Sequence, residues 1–130
     1  MNTKWMKIAF GVSAVYDGIL GLAFLFLGPM IFDYFGIERP NHLGYLHFPS
    51  LLLVVFALMY WRIASDPVKF RHLIPYGIGL KVSYCIVVFY HWLTSGIPVM
   101  WIPFAWLDLA FLILFIQAWR GAKDLGTIAA

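Results

Sequence analysis

The chain has 130 residues, of which 63% are hydrophobic, 19% are aromatic and only 12% carry a charge. A soluble domain of this length cannot hide so much apolar surface, because a small protein has a large surface for its volume. The composition therefore excludes an ordinary soluble domain and indicates a membrane protein. The formal net charge of +3 does not point to nucleic acid, because the basic residues lie where membrane topology needs them.

Four apolar stretches predict membrane-spanning helices at about residues 5–30, 46–61, 73–93 and 99–119. The first is long enough to cross a hydrocarbon layer about 30 Å thick. Gly28 and Pro29 are predicted to end it, and an outer loop follows. Ser65, Asp66 and Pro67 are typical of a turn and predict the connection between the second and third spans.

The distribution of basic residues predicts the orientation of these spans. Seven of the nine lie near the N-terminus, in the middle loop and near the C-terminus: Lys4, Lys7, Arg62, Lys69, Arg71, Arg120 and Lys123. Lys and Arg in short loops favour the cytoplasmic side, so both termini are predicted to be cytoplasmic. We therefore predict an all-α, integral membrane four-helix bundle. Residues 1–130 form a single transmembrane domain of a multi-pass protein, which we assign to the bacterial inner (plasma) membrane.

Three charged residues lie near the middle of different predicted spans: Asp17 in the first, Lys81 in the third and Asp108 in the fourth. Counted along each helix from the nearest inner basic residue, all three lie about 15–18 Å from the inner boundary. Ionisable residues inside a membrane usually face one another or a polar cavity. The equal depth therefore predicts that Lys81 contacts at least one of the two aspartates.

Helical spacing predicts the helix face on which these charged residues lie. Lys81 and Tyr84 share one face of the third span, and Asp17 shares a face with small residues that permit close helix approach. We therefore predict a polar cluster of Asp17, Lys81, Tyr84 and Asp108. Two carboxylates and one ammonium leave one negative charge, so we expect one carboxyl to keep its proton or a cation to bind.

The sequence leaves the role of this cluster open. It can be a structural ion pair that fixes helix register, a site for a ligand, a proton or a quinone head, or a contact with a partner subunit. No nucleophile, metal motif or redox pair accompanies it, and the single cysteine, Cys85, excludes an internal disulfide. The catalytic residues, if any, are therefore left unassigned.

The remaining polar residues give weaker signals. His47 begins the second span and His91 ends the third, so a shared axial role for haem, or a copper or zinc site with Glu38 or Met100, is conceivable. We favour interfacial histidines and expect no metal and no cofactor, with quinone or haem as alternatives. Four tyrosines are interpreted as interface anchors: Tyr34, Tyr45, Tyr60 and Tyr76.

Three segments carry a family resemblance: GILGLAFLFLGPMIFDYFGI in the first span and its loop, ASDP after the second, and PFAWLDLAFLILF in the fourth. They resemble the DoxX-like small membrane proteins. That resemblance implies a four-helix bundle, and some members of the family are linked to quinone-coupled sulfur oxidation. A looser likeness is to the EXPERA group of sterol-binding proteins, in which acidic residues line an intramembrane cavity. Asp17 and Asp108 are the positions to compare.

Three functional interpretations follow. We favour a non-enzymatic protein, either an accessory subunit of a larger membrane complex or a binder of a hydrophobic small molecule with a polar head. The alternative is a redox or isomerase-type enzyme in which Lys81, Tyr84 and an aspartate donate protons to a quinone or a lipid-like substrate. A small transporter is the third, and with four spans it would need to dimerise. The spacing of Ala14 and Gly18 would support close helix packing, either within the chain or between the chains of a homo-oligomer.

Overall fold

The computed structural model of the protein describes residues 2–129, with side chains described as far as Gly126. The two ends of the predicted domain, Met1 and Ala130, lie outside the described residues. Four helices make up most of the described chain: α1 Lys4–Tyr34, α2 Gly44–Ser65, α3 Ile74–Thr94 and α4 Trp101–Ala129. All four are long and apolar enough to cross a membrane, which confirms the all-α class and the number of apolar helices.

The first helix does not end where the sequence analysis placed its end. It continues through Pro29 to Tyr34. A proline inside a helix removes one amide hydrogen bond and its ring crowds the carbonyl of the preceding turn, which can bend the helix without ending it. The helix is terminated two residues later by Gly36, which has a φ of 69°. The Gly36 amide donates to the Asp33 carbonyl at 3.1 Å, and the Ile37 amide donates to the Phe32 carbonyl at 2.8 Å. These bonds are those of a Schellman motif, whose left-handed position favours glycine.

The last helix is also longer than predicted. The predicted span ended near Trp119, but α4 continues as a helix to Ala129. Hydropathy marks where the apolar run ends, whereas Ala, Lys and Leu continue a helix readily. The extension packs on the protein, because Ala122 is fully buried and Gly126 lies against the guanidinium of Arg71.

The helices pack as two hairpins. In the first hairpin α1 packs along α2, and in the second α3 packs along α4, whereas contacts between the hairpins are sparser. One core cluster lies in the half of the bundle that holds both chain ends, here called the terminal half, and takes residues from all four helices: Met6, Phe10, Ala14, Tyr60, Ile63, Ile74, Phe115, Ala118 and Ala122. A smaller cluster lies in the opposite half, here called the loop half: Phe24, Phe32, Leu46 and Met100.

The close packing of the first hairpin depends on small residues. A Cβ added to Gly21 would lie 2.7 Å from the carbonyl oxygen of Ser50 and 3.0 Å from the Cβ of Leu53. The first distance is shorter than van der Waals contact, and a backbone oxygen within a helix cannot move aside. Gly21 therefore sets how closely α1 approaches α2.

We expect Gly21→Ala to destabilise the protein by about 1–3 kcal/mol, because the added methyl overpacks this contact. Gly11→Ala in the same helix is the matched control, since a Cβ there meets nothing within 4 Å. The control should be neutral or stabilising by about 0.5–1 kcal/mol, as alanine favours a helix over glycine. Thermal unfolding in detergent followed by circular dichroism measures both variants. Equal melting temperatures for the two would contradict the role given to Gly21.

Candidate functional site

The side chain of Lys81 is fully buried at the centre of the bundle. Its Nζ donates to Oδ2 of Asp17 at 2.9 Å and to Oδ1 of Asp108 at 3.1 Å. The contact predicted between Lys81 and an aspartate is therefore confirmed, and it is made with both. These three residues, here called the charge cluster, come from α3, α1 and α4, so one ammonium ties three helices together.

Aromatic rings enclose the ammonium on its remaining sides. The Nζ of Lys81 lies 5.6 Å from the ring centroid of Tyr16, 5.4 Å from that of Tyr60 and 5.1 Å from that of Phe111. Ring faces attract a cation at such distances, and the attraction strengthens where water is excluded. The rings thus offset part of the cost of burying the charge.

Tyr60 was interpreted from the sequence as an interface anchor, and that interpretation is wrong. Its side chain is fully buried, and its hydroxyl donates to the carbonyl of Gly77 at 3.1 Å. The glycine makes this possible, because a Cβ there would lie 2.6 Å from the Tyr60 ring. Sequence reasoning missed both Tyr60 and Tyr16 as neighbours of the cluster. The available signal was that Tyr16 directly precedes Asp17 in the chain.

The structure brings three of the four predicted cluster residues together. The fourth, Tyr84, donates its hydroxyl to the carbonyl of Trp101 at 2.9 Å and is only partly buried. Cys85 takes the buried position one turn above Lys81, with its Sγ 3.6 Å from the carbonyl oxygen of Ala105. Both positions lie on the same side of a helix as Lys81, so the packing of α3 against α4 decides which of them faces the core.

A cavity of about 250 Å³ adjoins the charge cluster in the loop half. Asp17 and Asp108 lie in its wall together with Tyr16 and Tyr84, whereas Lys81 does not line it. The apolar part of the wall comes from all four helices and includes Leu20, Phe24, Leu46, Leu53, Leu80, Trp101 and Phe104. The hydroxyl oxygen of Tyr16 is buried and has no hydrogen-bond partner among the described residues. The cavity therefore combines apolar walls with acidic and phenolic groups at one place.

The two sides of the charge cluster differ. Towards the terminal half the core is closed by aromatic packing, in which the rings of Phe10 and Phe115 stack at 4.3 Å and Tyr60 lies 5.2 Å from Phe115. Towards the loop half lies the cavity. A second, larger cavity of about 950 Å³ shares the walls Leu20, Phe24 and Phe104 with it. A molecule in the loop half can therefore contact the carboxylates but not pass beyond them.

The two candidate metal ligands lie at the loop end of the bundle. His47 lies in the first turn of α2 and is partly buried, and His91 lies in the last turn of α3 and is exposed. The Nδ1 of His91 lies 3.5 Å from the Oγ of Ser95. Within residues 2–129, no group of three or more His, Cys, Asp and Glu side chains could hold a metal ion. Haem and metal binding at these histidines gain no support from the geometry.

Comparisons with protein-family models, with curated proteins and with solved structures give no significant match to this chain. The DoxX-like resemblance and the looser EXPERA likeness therefore stay predictions. The function has to be argued from the geometry of the charge cluster and the adjoining cavity.

The charge cluster predicts a sharp response to the loss of its cation. Lys81→Met leaves Asp17 and Asp108 buried without a counter-ion, so we expect a loss of about 3–5 kcal/mol in the free energy of unfolding. The triple variant that adds Asp17→Asn and Asp108→Asn should recover most of this loss, because no buried charge remains. Denaturant unfolding in mild detergent measures both.

Lys7→Met is the control for removing a lysine, since Lys7 is exposed, and it should change the stability by no more than about 0.5 kcal/mol. A triple variant no more stable than Lys81→Met would show that the lost ion pairs do not explain the effect.

Proposed function

We propose that the protein is an integral membrane protein with four spans and cytoplasmic termini, in the bacterial inner membrane. Large apolar side chains along the outer face of the helices support insertion. Phe26 is 74% exposed, Leu58 67% and Ile86 62%, and water would disfavour such a surface whereas lipid would not. The terminal half carries most of the basic residues, which supports the cytoplasmic orientation of both ends.

We further propose that the protein binds a hydrophobic small molecule with a polar head in the cavity beside the charge cluster. The observation that carries this proposal is the juxtaposition of apolar walls with Asp17, Asp108 and the unpartnered Tyr16 hydroxyl. Small-molecule sites are mostly apolar with a few polar groups that fix orientation. The head would lie against these polar groups, and the apolar remainder would lie along Phe24 and Phe104 towards the larger cavity.

The surroundings of the charge cluster favour this function over that of a purely structural ion pair. An ion pair that only fixes register gains from dense packing on every side, because voids cost dispersion energy. Here one side is packed and the other faces a cavity of about 250 Å³. A role as an accessory subunit of a larger complex is compatible with the same site, since a binder can act within a complex.

The same geometry favours binding over the redox interpretation. That interpretation needs Lys81 and Tyr84 as proton donors to a substrate. The Lys81 ammonium already donates to two carboxylates and does not line the cavity, and the Tyr84 hydroxyl donates to the Trp101 carbonyl. A transporter is also disfavoured, because the aromatic packing of the terminal half closes the path beyond the cluster.

The proposed orientation predicts which side each connection faces. In a Cys85→Ala background, a membrane-impermeant thiol reagent should label Ser95→Cys from outside intact cells. Lys69→Cys should be labelled only after the membrane is permeabilised, because its loop is basic and cytoplasmic. Both native side chains are exposed, so access to the thiol depends on the membrane alone. Labelling from the opposite sides would contradict the orientation.

Filling the cavity should remove the bound molecule. Leu80→Trp adds a large side chain to the cavity wall, and Val87→Trp, on the same helix but 54% exposed and outside the lining, is the matched control. Native mass spectrometry of protein extracted in mild detergent should show a co-purifying small molecule on the wild type and on Val87→Trp. On Leu80→Trp the bound fraction should fall about tenfold or more, with helical content unchanged. Retention of the molecule on Leu80→Trp, or a wild type without one, would contradict the proposal.

A further inference from the structure

The two carboxylates of the charge cluster hold the structure together to different degrees. The bond from Lys81 to Asp17 joins α3 to α1 and so links one hairpin to the other, whereas the bond to Asp108 stays within the second hairpin. The side chain of Asp17 is 2% exposed and that of Asp108 is 10% exposed. Asp108 can therefore change its partner at lower structural cost, because the hairpins remain linked through Asp17.

The charges around Asp108 do not balance. Its charged neighbours are Lys81 on α3 and Asp17 on α1, and the other titratable groups near the cluster are Cys85, Tyr16, Tyr60 and Tyr84. With both carboxyls ionised, one shared ammonium leaves one negative charge, which a proton on one carboxyl or a bound cation can balance. The described lining of the cavity contains no Lys, Arg or His side chain that could neutralise it. A buried charge without compensation is costly, so the cavity favours a positively charged occupant.

The cavity walls offer further groups suited to a cation. The aromatic rings of Phe24 and Trp101 stack at 5.6 Å in the wall, and Phe104 lies close by, 6.4 Å from the ring of Tyr16. Ring faces attract an organic cation. The hydroxyl of Tyr84 donates to the carbonyl of Trp101, and its oxygen keeps a lone pair that can accept a hydrogen bond from a cationic ligand. Apart from the Tyr16 hydroxyl, which keeps a free donor, the polar groups that line the cavity are thus hydrogen-bond acceptors.

We infer that the cavity takes the protonated head of a lipophilic amine, with Asp108 as its carboxylate partner and Asp17 as the retained counter-ion of Lys81. This inference rests on the proposed binding function and specifies its ligand class. The ammonium of the ligand donates to Asp108, and its hydrocarbon part extends past Phe104 into the larger cavity. Lys81 and the ligand then share the two carboxylates, so the site as a whole is neutral.

Three ligands that share one alkyl chain and differ in their head group test the inference. Dodecylamine, dodecanol and dodecanoate are added to the protein in nanodiscs of a neutral lipid, and bound ligand is counted by native mass spectrometry. Empty nanodiscs and the Leu80→Trp variant correct for partition into lipid. The amine should bind about tenfold or more tightly than the alcohol, because only the amine adds a charge-assisted bond. Dodecanoate should not bind.

Variants of the two aspartates, tested with the same three ligands, show which carboxylate binds the amine. Asp108→Asn should lose the preference for the amine over the alcohol while keeping its fold, since Asp17 and Lys81 remain as a balanced pair. Asp108→Glu, which restores the charge, should restore the preference. Asp17→Asn should lower the melting temperature more than Asp108→Asn does, because it removes the link between the hairpins.

The possible failures are distinguishable. If the wild type binds the alcohol as tightly as the amine, the inference of a cationic head is overturned while the binding function stands. If no head binds above the empty-nanodisc level, the proposed binding function itself fails for such chains, and the inference with it. If Asp17→Asn loses the amine preference and Asp108→Asn keeps it, the assignment of the two carboxylates is wrong. Should Asp108→Asn not fold, the wild-type series alone decides the ligand class.

Discussion

A lysine ammonium shut away from solvent lies where three helices meet, and its charge constrains what can pack around it. Burying an ion is costly unless opposite charges and hydrogen bonds surround it. Lys81 obtains them from carboxylates on two different helices, with aromatic rings on its other sides. Because Asp17 belongs to the other hairpin, the hairpins have to meet at this level. The charge cluster therefore fixes the register of the bundle as well as its centre.

The division of the bundle into two unlike halves follows from where the bulky residues lie. In the terminal half, rings such as Phe10 and Phe115 fill the space between the hairpins. In the loop half, the core is smaller and the gaps between the hairpins remain as two cavities with shared walls. The charge cluster lies at the boundary. The carboxylates of the cluster can therefore be reached through an apolar cavity from the loop half only. This arrangement suits binding of an amphiphile better than transport.

Some features of the candidate site could be predicted from spacing along single helices. Asp17, Lys81 and Asp108 lie at equal depth, and a helix rises by a fixed distance per residue, so their meeting followed from the sequence. The roles of Tyr16 and Tyr60 did not follow, because an aromatic residue at the end or middle of an apolar helix can face lipid or core with equal local preference. The place predicted for Tyr84 in the cluster is taken by the next residue, Cys85. Both residues lie on the same side of α3 as Lys81, so helical spacing alone could not distinguish them.

The sequence by itself determined the helical class, the four apolar helices and the depth of the three charges, because composition, hydropathy and helical rise are properties of the local chain. Helix ends were less certain: a left-handed glycine, Gly36, ends α1, and α4 runs past its apolar stretch. Only the tertiary structure decided that one lysine serves both carboxylates and that Asp17 links the hairpins. It also decided that a cavity lies on one side of the cluster. These depend on how closely helices distant in sequence approach one another, and that distance is set by side chains from both partners at each contact.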